Sequence, residues 1–214
     1  MSKPKLELDQ EQIMSILQAC YNKVVDGIPG TPNCESLANE YLSKYGSTEI
    51  AVQHLIKNQI TKCTASGFIT NVGGLITLPV ALPANIASVL YMQMRMIATM
   101  AVMGGYNVDD DEVQTLVFVC LVDTSVVDLC KKAGIDIAVK TTKSLIAKIP
   151  GTFITKINQL IGFRLVTKFG TKGVINLGQM APVVGGFVSG GMDFVTTKRI
   201  AKRAYKMFIQ NIVE

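Results

Sequence analysis

Apolar residues recur every three or four positions along most of this chain, the spacing of amphipathic helices with one face on a core. The first such run covers residues 13–24. Asp9 is its expected N-cap, with Gln12 three residues later as the partner in a capping box. Gly27, followed by a Pro-Gly pair, is its expected end. The pattern therefore predicts a helix between Asp9 and Gly27.

Two shorter patterns follow before the chain loses its charges. Thr31 before Pro32 predicts the start of a second helix that ends at Gly46. Ser47 is the expected cap of a third helix. Its predicted apolar face consists of Ile50, Leu55, Ile56, Ile60 and Cys63.

The stretch 63–94 contains 32 residues without a charge, more than the roughly 20 that cross a bilayer as a helix. A glycine pair and two prolines exclude one straight helix. We expect a helix end, a tight re-entrant turn, and a new helix from Pro83 to Met103 that closes at Gly104 and Gly105. Two interpretations stay open for 63–94, namely insertion into a membrane as a wedge and burial at the centre of a helical bundle.

The second half continues the helical pattern. Asp109 and Glu112 form a predicted capping box for a helix that runs to Gly134. Further helices are predicted over 136–149, 152–169 and 193–212. Between the last two lies 173–192, which has 20 uncharged residues and six glycines.

The predicted fold class is all-α, a single compact multi-helix bundle with two apolar, Gly-rich central segments, 63–94 and 173–192. Residues 1–214 form one domain, in which 1–46 are N-terminal helices that precede the region 47–214. We expect the two uncharged segments to pack on each other, because small residues let helix backbones approach closely. The glycines predicted at such contacts are Gly73, Gly74, Gly185, Gly186 and Gly190.

The low charge of this chain is more unusual than its apolar content. Only 17% of the residues are charged, against roughly 25% in an average soluble domain, and the mean hydropathy is +0.34. The net charge of +5 is unevenly distributed, since residues 137–214 hold twelve Lys and Arg against two acids. Five widely spaced cysteines and the single His54 predict neither a disulfide framework nor a zinc site. We expect buried free thiols, no metal and no cofactor.

The last helix concentrates this positive charge. A basic amphipathic helix is typical of surfaces that bind anionic lipid or phosphate. The alternative is a solvated face of an ordinary bundle helix. The cations of one side are Lys198, Arg199, Lys202, Arg203 and Lys206, and the apolar residues of the other are Phe194, Ala201, Tyr205, Phe208 and Ile212. No aromatic residues lie between the cations for base stacking, so nucleic acid is not an expected partner.

Arg95 is the only charged residue between Lys62 and Asp109. A lone arginine in an apolar helix needs a carboxylate or water. We expect a buried ion pair with Asp123 or Asp128, the alternative being contact with a ligand headgroup.

Two blocks of sequence resemble a known family. They read "GGLITLPVALPANIASVLYMQMRMIATMAVMGGYNVDD" and "MAPVVGGFVSGGMDFVTTKRIAKRAYKMF". In order and spacing they are similar to the two marks of the EcsC-like family, and together they cover roughly residues 60–210. The resemblance implies a bacterial, helical, membrane-associated protein; the family's namesake accompanies an ABC transporter in a gene cluster linked to secretion. It implies no catalytic residue.

The sequence thus favours a non-catalytic accessory or regulatory protein that contacts anionic lipid through its last helix. Its N-terminus has no apolar signal region, so we expect it in the cytoplasm, peripheral to or partly inserted in the inner face of the membrane. An ABC transporter is a possible protein partner. Two alternatives remain, a soluble carrier or sensor that buries an apolar ligand, and an enzyme on a lipid that uses Asp123, Asp128 or His54.

Overall fold

The computed structural model describes residues 9–64, 84–122, 124–134, 141–169 and 187–213. Within these ranges every regular element is a helix, apart from two isolated β-bridges, so the all-α bundle is confirmed. The helices are α1 Gln10–Asp26, α2 Cys34–Tyr45, α3 Thr48–Thr64, α4 Ala84–Met103, α5 Asp111–Leu121, α6 Val126–Lys132, α7 Thr142–Ile146, α8 Gly151–Phe169 and α9 Phe187–Ala204, which continues as a π-helical turn, Tyr205–Ile209.

Helix α1 begins and ends where the sequence predicts. The Asp9 carboxylate accepts a hydrogen bond from the Gln12 N–H at 2.7 Å, and the Gln12 amide oxygen accepts from the Asp9 N–H at 3.0 Å. Both bonds of the capping box are present, so two N–H groups of the first turn are satisfied. Gly27 ends the helix with φ of 86°, a backbone conformation that favours glycine.

Helices α2 and α3 differ from the prediction in detail. Asn33, rather than Thr31, caps α2, because its side chain accepts a hydrogen bond from the Ser36 N–H at 2.8 Å. In α3 the predicted face is wrong at Ile50, which is 47% exposed, whereas Gln59 is fully buried. Ala51, Val52 and Leu55 are fully buried, so the covered side of α3 is turned away from Ile50.

Helix α4 is the centre of the described bundle. It packs against α1, α2, α3, α5 and α9, and nearly every side chain from Ala87 to Met103 is buried. Its bounds agree with the predicted helix that follows Pro83 and closes at Gly104 and Gly105. In residues 87–103 the lack of charged side chains around Arg95 is therefore explained by burial, because other helices enclose this part of α4.

The predicted helix 109–134 is two helices. Helix α5 ends at Leu121, Val122 is extended with φ −91° and ψ 141°, and α6 starts after Ser125. The predicted capping box is also wrong. The N-cap is Asp110, without a side-chain hydrogen bond to the helix. Its carboxylate instead accepts a hydrogen bond from the Asn107 side-chain amide at 2.7 Å. The oxygen that could cap the helix is therefore bonded within the turn that precedes it.

Helices α4 and α9 run parallel. The Gln93 side-chain amide donates to the Thr197 hydroxyl at 2.9 Å, and these residues are 104 positions apart. Gly104 and Phe208 are separated by the same number of positions, and a β-carbon on Gly104 would overlap the Phe208 carbonyl oxygen. Because both pairs of residues are separated by the same number of positions, the two helices run in the same direction. Helix α9 begins at Phe187, earlier than predicted, although Gly190 and Gly191 in its first turns have low helix propensity.

Helix α3 runs antiparallel to this pair. The Tyr205 hydroxyl, just beyond α9, donates to the carboxylate of Glu49 in the first turn of α3, at 2.5 Å, and α3 packs along both α4 and α9. Thr64, Ala84 and Phe187 therefore lie at one end of the bundle, which we call the upper end. The uncharged segment between α3 and α4 starts and finishes at the upper end, and the segment before α9 finishes there.

The predicted contact between the two uncharged segments falls mostly outside the described residues. Gly73, Gly74, Gly185 and Gly186 lie there; Gly190 is in the first turn of α9. The described parts of the segments belong to α4 and α9, which pack together. Close approach at glycine is visible at two positions that the sequence did not indicate. These are Gly104, against the Phe208 carbonyl, and Gly162, against the side chains of Gln10 and Met14.

Candidate anion-binding site

The five cations predicted as an anion-binding face lie along the outer side of α9 and its π-helical turn. The opposite side, which includes Ala201, Ala204 and Phe208, is buried against the core. The predicted division of this helix into two faces is therefore correct over residues 198–208. Lys198, Arg199 and Lys202 are exposed, and Arg203 and Lys206 are half-buried.

Four of these five cations line one cavity of about 320 Å³ between α9 and the start of α6. This volume is at the small end of ligand pockets, which span about 300–1,000 Å³. The described lining contains no carboxylate, so it concentrates positive charge beside a few apolar groups. The lining residues are Ser125, Val126, Arg199, Lys202, Arg203, Lys206, Met207 and Ile212.

The break between α5 and α6 forms one wall of this cavity. Arg203 donates to the carbonyl oxygen of Val122, one of the carbonyl groups that a helix leaves unsatisfied at its C-terminus. A cation there also interacts favourably with the helix dipole. Arg164 of α8 donates to the Thr124 hydroxyl in the same connection. Arg203 thus ties the break to α9 and Arg164 ties it to α8. Ser125, in the same connection, lies in the lining.

Sequence reasoning missed the residues that this break contributes, because it treated 109–134 as one helix. The sequence does contain a signal for a second helix start within this range. Ser125 is followed three residues later by Asp128, which is the pattern of a helix start. In the structure the Ser125 hydroxyl accepts a hydrogen bond from the Asp128 N–H at 3.4 Å. Ile212, beyond the last helical turn, was assigned to the apolar face but is 42% exposed and lines the cavity.

Two exposed apolar side chains lie beside the cations, toward the upper end. Phe194 is 44% exposed and Val195 is 48% exposed. They precede Lys198 by about one helical turn, so apolar and cationic side chains share the exposed surface of α9. The sequence placed Phe194 on the buried face, whereas the start of α9 leaves it at the surface.

Arg95 has a hydrogen-bond partner that the sequence did not indicate. It is 3% exposed, and its Nη2 donates to the carbonyl oxygen of Pro32 at 2.9 Å. It faces α2, where Cys34 and Tyr41 are neighbours, and burial lowers its pKa. Asp128 is exposed on α6, a helix that packs on α8, and Asp123 lies outside the described residues. The expected pairing with Asp128 is therefore replaced by a hydrogen bond to the backbone.

This environment determines the expected effect of Arg95→Met on stability. The substitution removes one hydrogen bond and also removes a buried charge, so the free energy of unfolding should change by no more than about 1 kcal/mol. Arg95→Ala should cost more, because it also leaves a void. Urea denaturation measures both. A loss of about 3–5 kcal/mol for Arg95→Met would instead be the signature of a stranded carboxylate.

The residues considered for acid–base catalysis are not brought together where they are described. His54 stacks on the Tyr45 ring, with centroids 4.0 Å apart and planes at 6°, and Asp128 is exposed on a different helix. Burial raises the pKa of the Cys20 and Cys120 thiols to about 12, and of Cys34 and Cys130 to about 11. These four are buried free thiols, which are protonated at neutral pH.

Known proteins give no match to this chain, whether the comparison uses family models, curated protein sequences or solved structures. Among the described helices none is by itself long and apolar enough to cross a membrane; α5 and α6 reach that length and composition only as a bent pair. Nearly all of α5 is buried in protein. In the same ranges no group of three His, Cys, Asp or Glu side chains could hold a metal ion. The cationic outer face of α9, with the cavity beside it, is therefore the candidate functional site.

Proposed function

We propose that this protein is a membrane-associated, non-catalytic accessory protein of EcsC-like type that binds anionic lipid surfaces through the outer face of α9. One observation carries the proposal. Exposed Phe194 and Val195 lie about a turn from the exposed cation Lys198, which is followed on the same surface by Arg199 and Lys202. The described lining of the cavity beside Arg199 and Lys202 contains no carboxylate. Apolar and basic groups on one surface are what a peripheral lipid-binding helix requires.

The expected energies are adequate for reversible binding. Each cation close to an anionic membrane contributes about 1 kcal/mol. Full burial of a Phe or Val side chain contributes about 1.5–3 kcal/mol, of which roughly half remains to be gained at Phe194 and Val195, because they are already half-covered. Three cations and two apolar side chains together favour association that salt can reverse.

The position of this surface supports the same function. Phe194 and Val195 lie toward the upper end, where the uncharged stretch between α3 and α4 begins and finishes. Thr64 and Ala84, the described residues on either side of that stretch, lie at the same end as the exposed apolar side chains of α9. A membrane placed against the upper end would meet Phe194 and Val195.

The cellular setting is part of the proposal and rests on the resemblance of the two sequence blocks to the EcsC-like family. It consists of a bacterial cytoplasm, a peripheral or partly inserted position at the inner face of the membrane, and an ABC transporter as a possible partner. The cationic lining of the cavity favours an anionic ligand over the apolar ligand of a carrier.

Sedimentation with vesicles tests the proposal. The purified protein should pellet with vesicles of phosphatidylcholine and phosphatidylserine and stay in the supernatant with phosphatidylcholine alone. Raising the ionic strength from 0.1 M to 1 M shortens the Debye length from about 10 Å to about 3 Å, so it should release most of the bound protein. Equal sedimentation with both kinds of vesicle, or none with either, would rule the proposal out.

A further inference from the structure

A buried cation without a counter-charge lies where α4 meets the start of α2. Arg95 is 3% exposed, and its Nη2 donates to the carbonyl oxygen of Pro32, two residues before α2 begins. Its Nε–H is buried and has no hydrogen-bond partner among the described residues. Buried charges in proteins are normally paired, so we expect an anion beside this guanidinium group.

The hydroxyl of Tyr91 is a second donor on the same face of α4. Tyr91 precedes Arg95 by one helical turn, the spacing at which two side chains of a helix are neighbours. Burial lowers the pKa of Arg95, and Tyr91 is the strongest of the ionisable groups that act against this. Tyr91 is fully buried, and its hydroxyl also has no hydrogen-bond partner within the described ranges. Two neighbouring donors, one of them cationic, are therefore buried without an acceptor.

The start of α2 adds positive potential to the same place. A helix dipole puts roughly half a positive charge at the N-terminus, and the first N–H groups of a helix have no carbonyl partner. Those of Cys34 and Glu35 instead contact the Cys34 sulfur. Burial raises the pKa of the Cys34 thiol to about 11 and also raises the pKa of Tyr91. Both groups are therefore protonated at neutral pH, and neither is the counter-charge of Arg95.

The nearby carboxylates of α2 do not supply this counter-charge either. Glu35 and Glu40 are exposed, and neither forms a hydrogen bond or an ion pair with Arg95. Burial lowers the pKa of Arg95, and Glu40 opposes this less than the uncharged groups around the guanidinium do. The Arg95 Nε–H and the Tyr91 hydroxyl thus remain available to a ligand.

We propose that the junction of α4 with the start of α2 binds one monoatomic anion of the size of chloride. The Arg95 Nε–H and the Tyr91 hydroxyl donate to it, and the dipole of α2 favours its charge. Because Tyr91 and Cys34 are fully buried and Arg95 is nearly so, the junction excludes anions that carry a carbon chain. The inference does not depend on the membrane-binding face of α9.

Thermal unfolding in chloride and in gluconate, at equal ionic strength and pH, tests the site. Gluconate is a monovalent anion that is too large for an enclosed junction. The Tm should rise saturably by about 2–4 °C as chloride replaces gluconate, which is the effect of a ligand at about five times its Kd. Acetate should give the gluconate value. Equal Tm values in chloride and gluconate, or the full rise in acetate, would overturn the inference.

Tyr91→Phe separates an anion site from an ordinary buried hydroxyl. In gluconate its Tm should equal or exceed that of the unmodified protein, because the variant lacks a buried polar group that has no partner. In chloride its Tm should be the lower of the two, because loss of one donor to a charged ligand should weaken chloride binding about tenfold or more. A chloride-dependent rise that is unchanged in Tyr91→Phe would contradict the site.

Tyr21→Phe is the matched control. Tyr21 is also buried, but its hydroxyl donates to the carbonyl oxygen of Val108 at 2.6 Å. The variant should lower the Tm by the same amount in both salts and keep the full rise with chloride. If Tyr21→Phe loses this rise as Tyr91→Phe does, the effect comes from altered packing and the inference fails.

Chloride NMR measures the binding directly. Exchange of chloride with a protein site broadens its signal, and bromide should remove this broadening by competition. In Arg95→Met both the broadening that bromide removes and the rise in Tm should be absent. Should Arg95→Met not fold, the comparison of Tyr91→Phe with Tyr21→Phe gives the same test. Broadening that persists in folded Arg95→Met would assign the ion to another part of the protein and overturn the inference.

Discussion

Phe208→Ala is expected to lower the free energy of unfolding by about 3–5 kcal/mol. Phe208 is 1% exposed, and its ring packs edge-on against Tyr106 with centroids 5.3 Å apart. Its backbone carbonyl occupies the space that a side chain at Gly104 would need. The surroundings cannot close easily over the lost ring, because this backbone contact fixes the end of α9 on the end of α4.

Urea denaturation at constant pH gives the change directly, provided that the slope with denaturant is unchanged. Phe163→Ala is the matched control, because Phe163 is 61% exposed on α8. It should change stability by no more than about 0.5 kcal/mol. A small effect of Phe208→Ala would mean that the junction of α4 and α9 does not form as described.

Neutralising the exposed cations of α9 should weaken vesicle binding by about 100-fold. The triple variant Lys198→Gln, Arg199→Gln and Lys202→Gln removes three charges, each contributing about 1 kcal/mol near an anionic membrane, and about 1.4 kcal/mol corresponds to a tenfold change in affinity. All three side chains are exposed, so their replacement should leave the fold intact. Binding to phosphatidylserine vesicles is measured by sedimentation at fixed salt.

A second triple variant tests whether vesicle binding depends on the cations of α9 or only on the net charge of the protein. Lys44, Lys57 and Lys156 are exposed on α2, α3 and α8. Their replacement by Gln gives the same change in net charge, from +5 to +2. This control should bind vesicles within a few-fold of the unmodified protein, because distant charges are screened beyond roughly 10 Å at 0.1 M salt. Equal losses in the two variants would show that the overall charge, and not the face of α9, attracts the membrane.

Helix positions were predictable where the local signal was complete. Asp9 with Gln12 fixes the start of α1 by hydrogen bonds within four residues, and Gly46, with φ of 68°, fixes the end of α2. Such signals depend on neighbours in sequence, so they survive any tertiary arrangement. The division of α9 into a cationic and a buried face was predictable for the same reason, because helical geometry alone sets it.

Features that depend on distant residues were not predictable. The break at Val122 requires Arg203, 81 positions away, to satisfy its carbonyl group, and apolar periodicity continues across the break. Arg95 was assigned a carboxylate by general electrostatics, yet its hydrogen bond goes to the carbonyl of Pro32, 63 positions away. The cavity was not predictable for the same reason, because three of its eight described lining residues come from the start of α6 and from Ile212.

The absence of tryptophan from the chain allows the most direct test of membrane contact. Phe194→Trp introduces a single indole at an exposed apolar position two turns into α9. Phe163→Trp introduces one on α8, which packs on α1, α5 and α6. Upon addition of phosphatidylserine vesicles, the emission at position 194 should shift to shorter wavelength and be quenched by lipids brominated on their acyl chains, while that at position 163 should not change. An indole at position 194 that keeps its solvent-exposed spectrum on vesicle-bound protein would contradict the assignment of α9 as the membrane-binding surface.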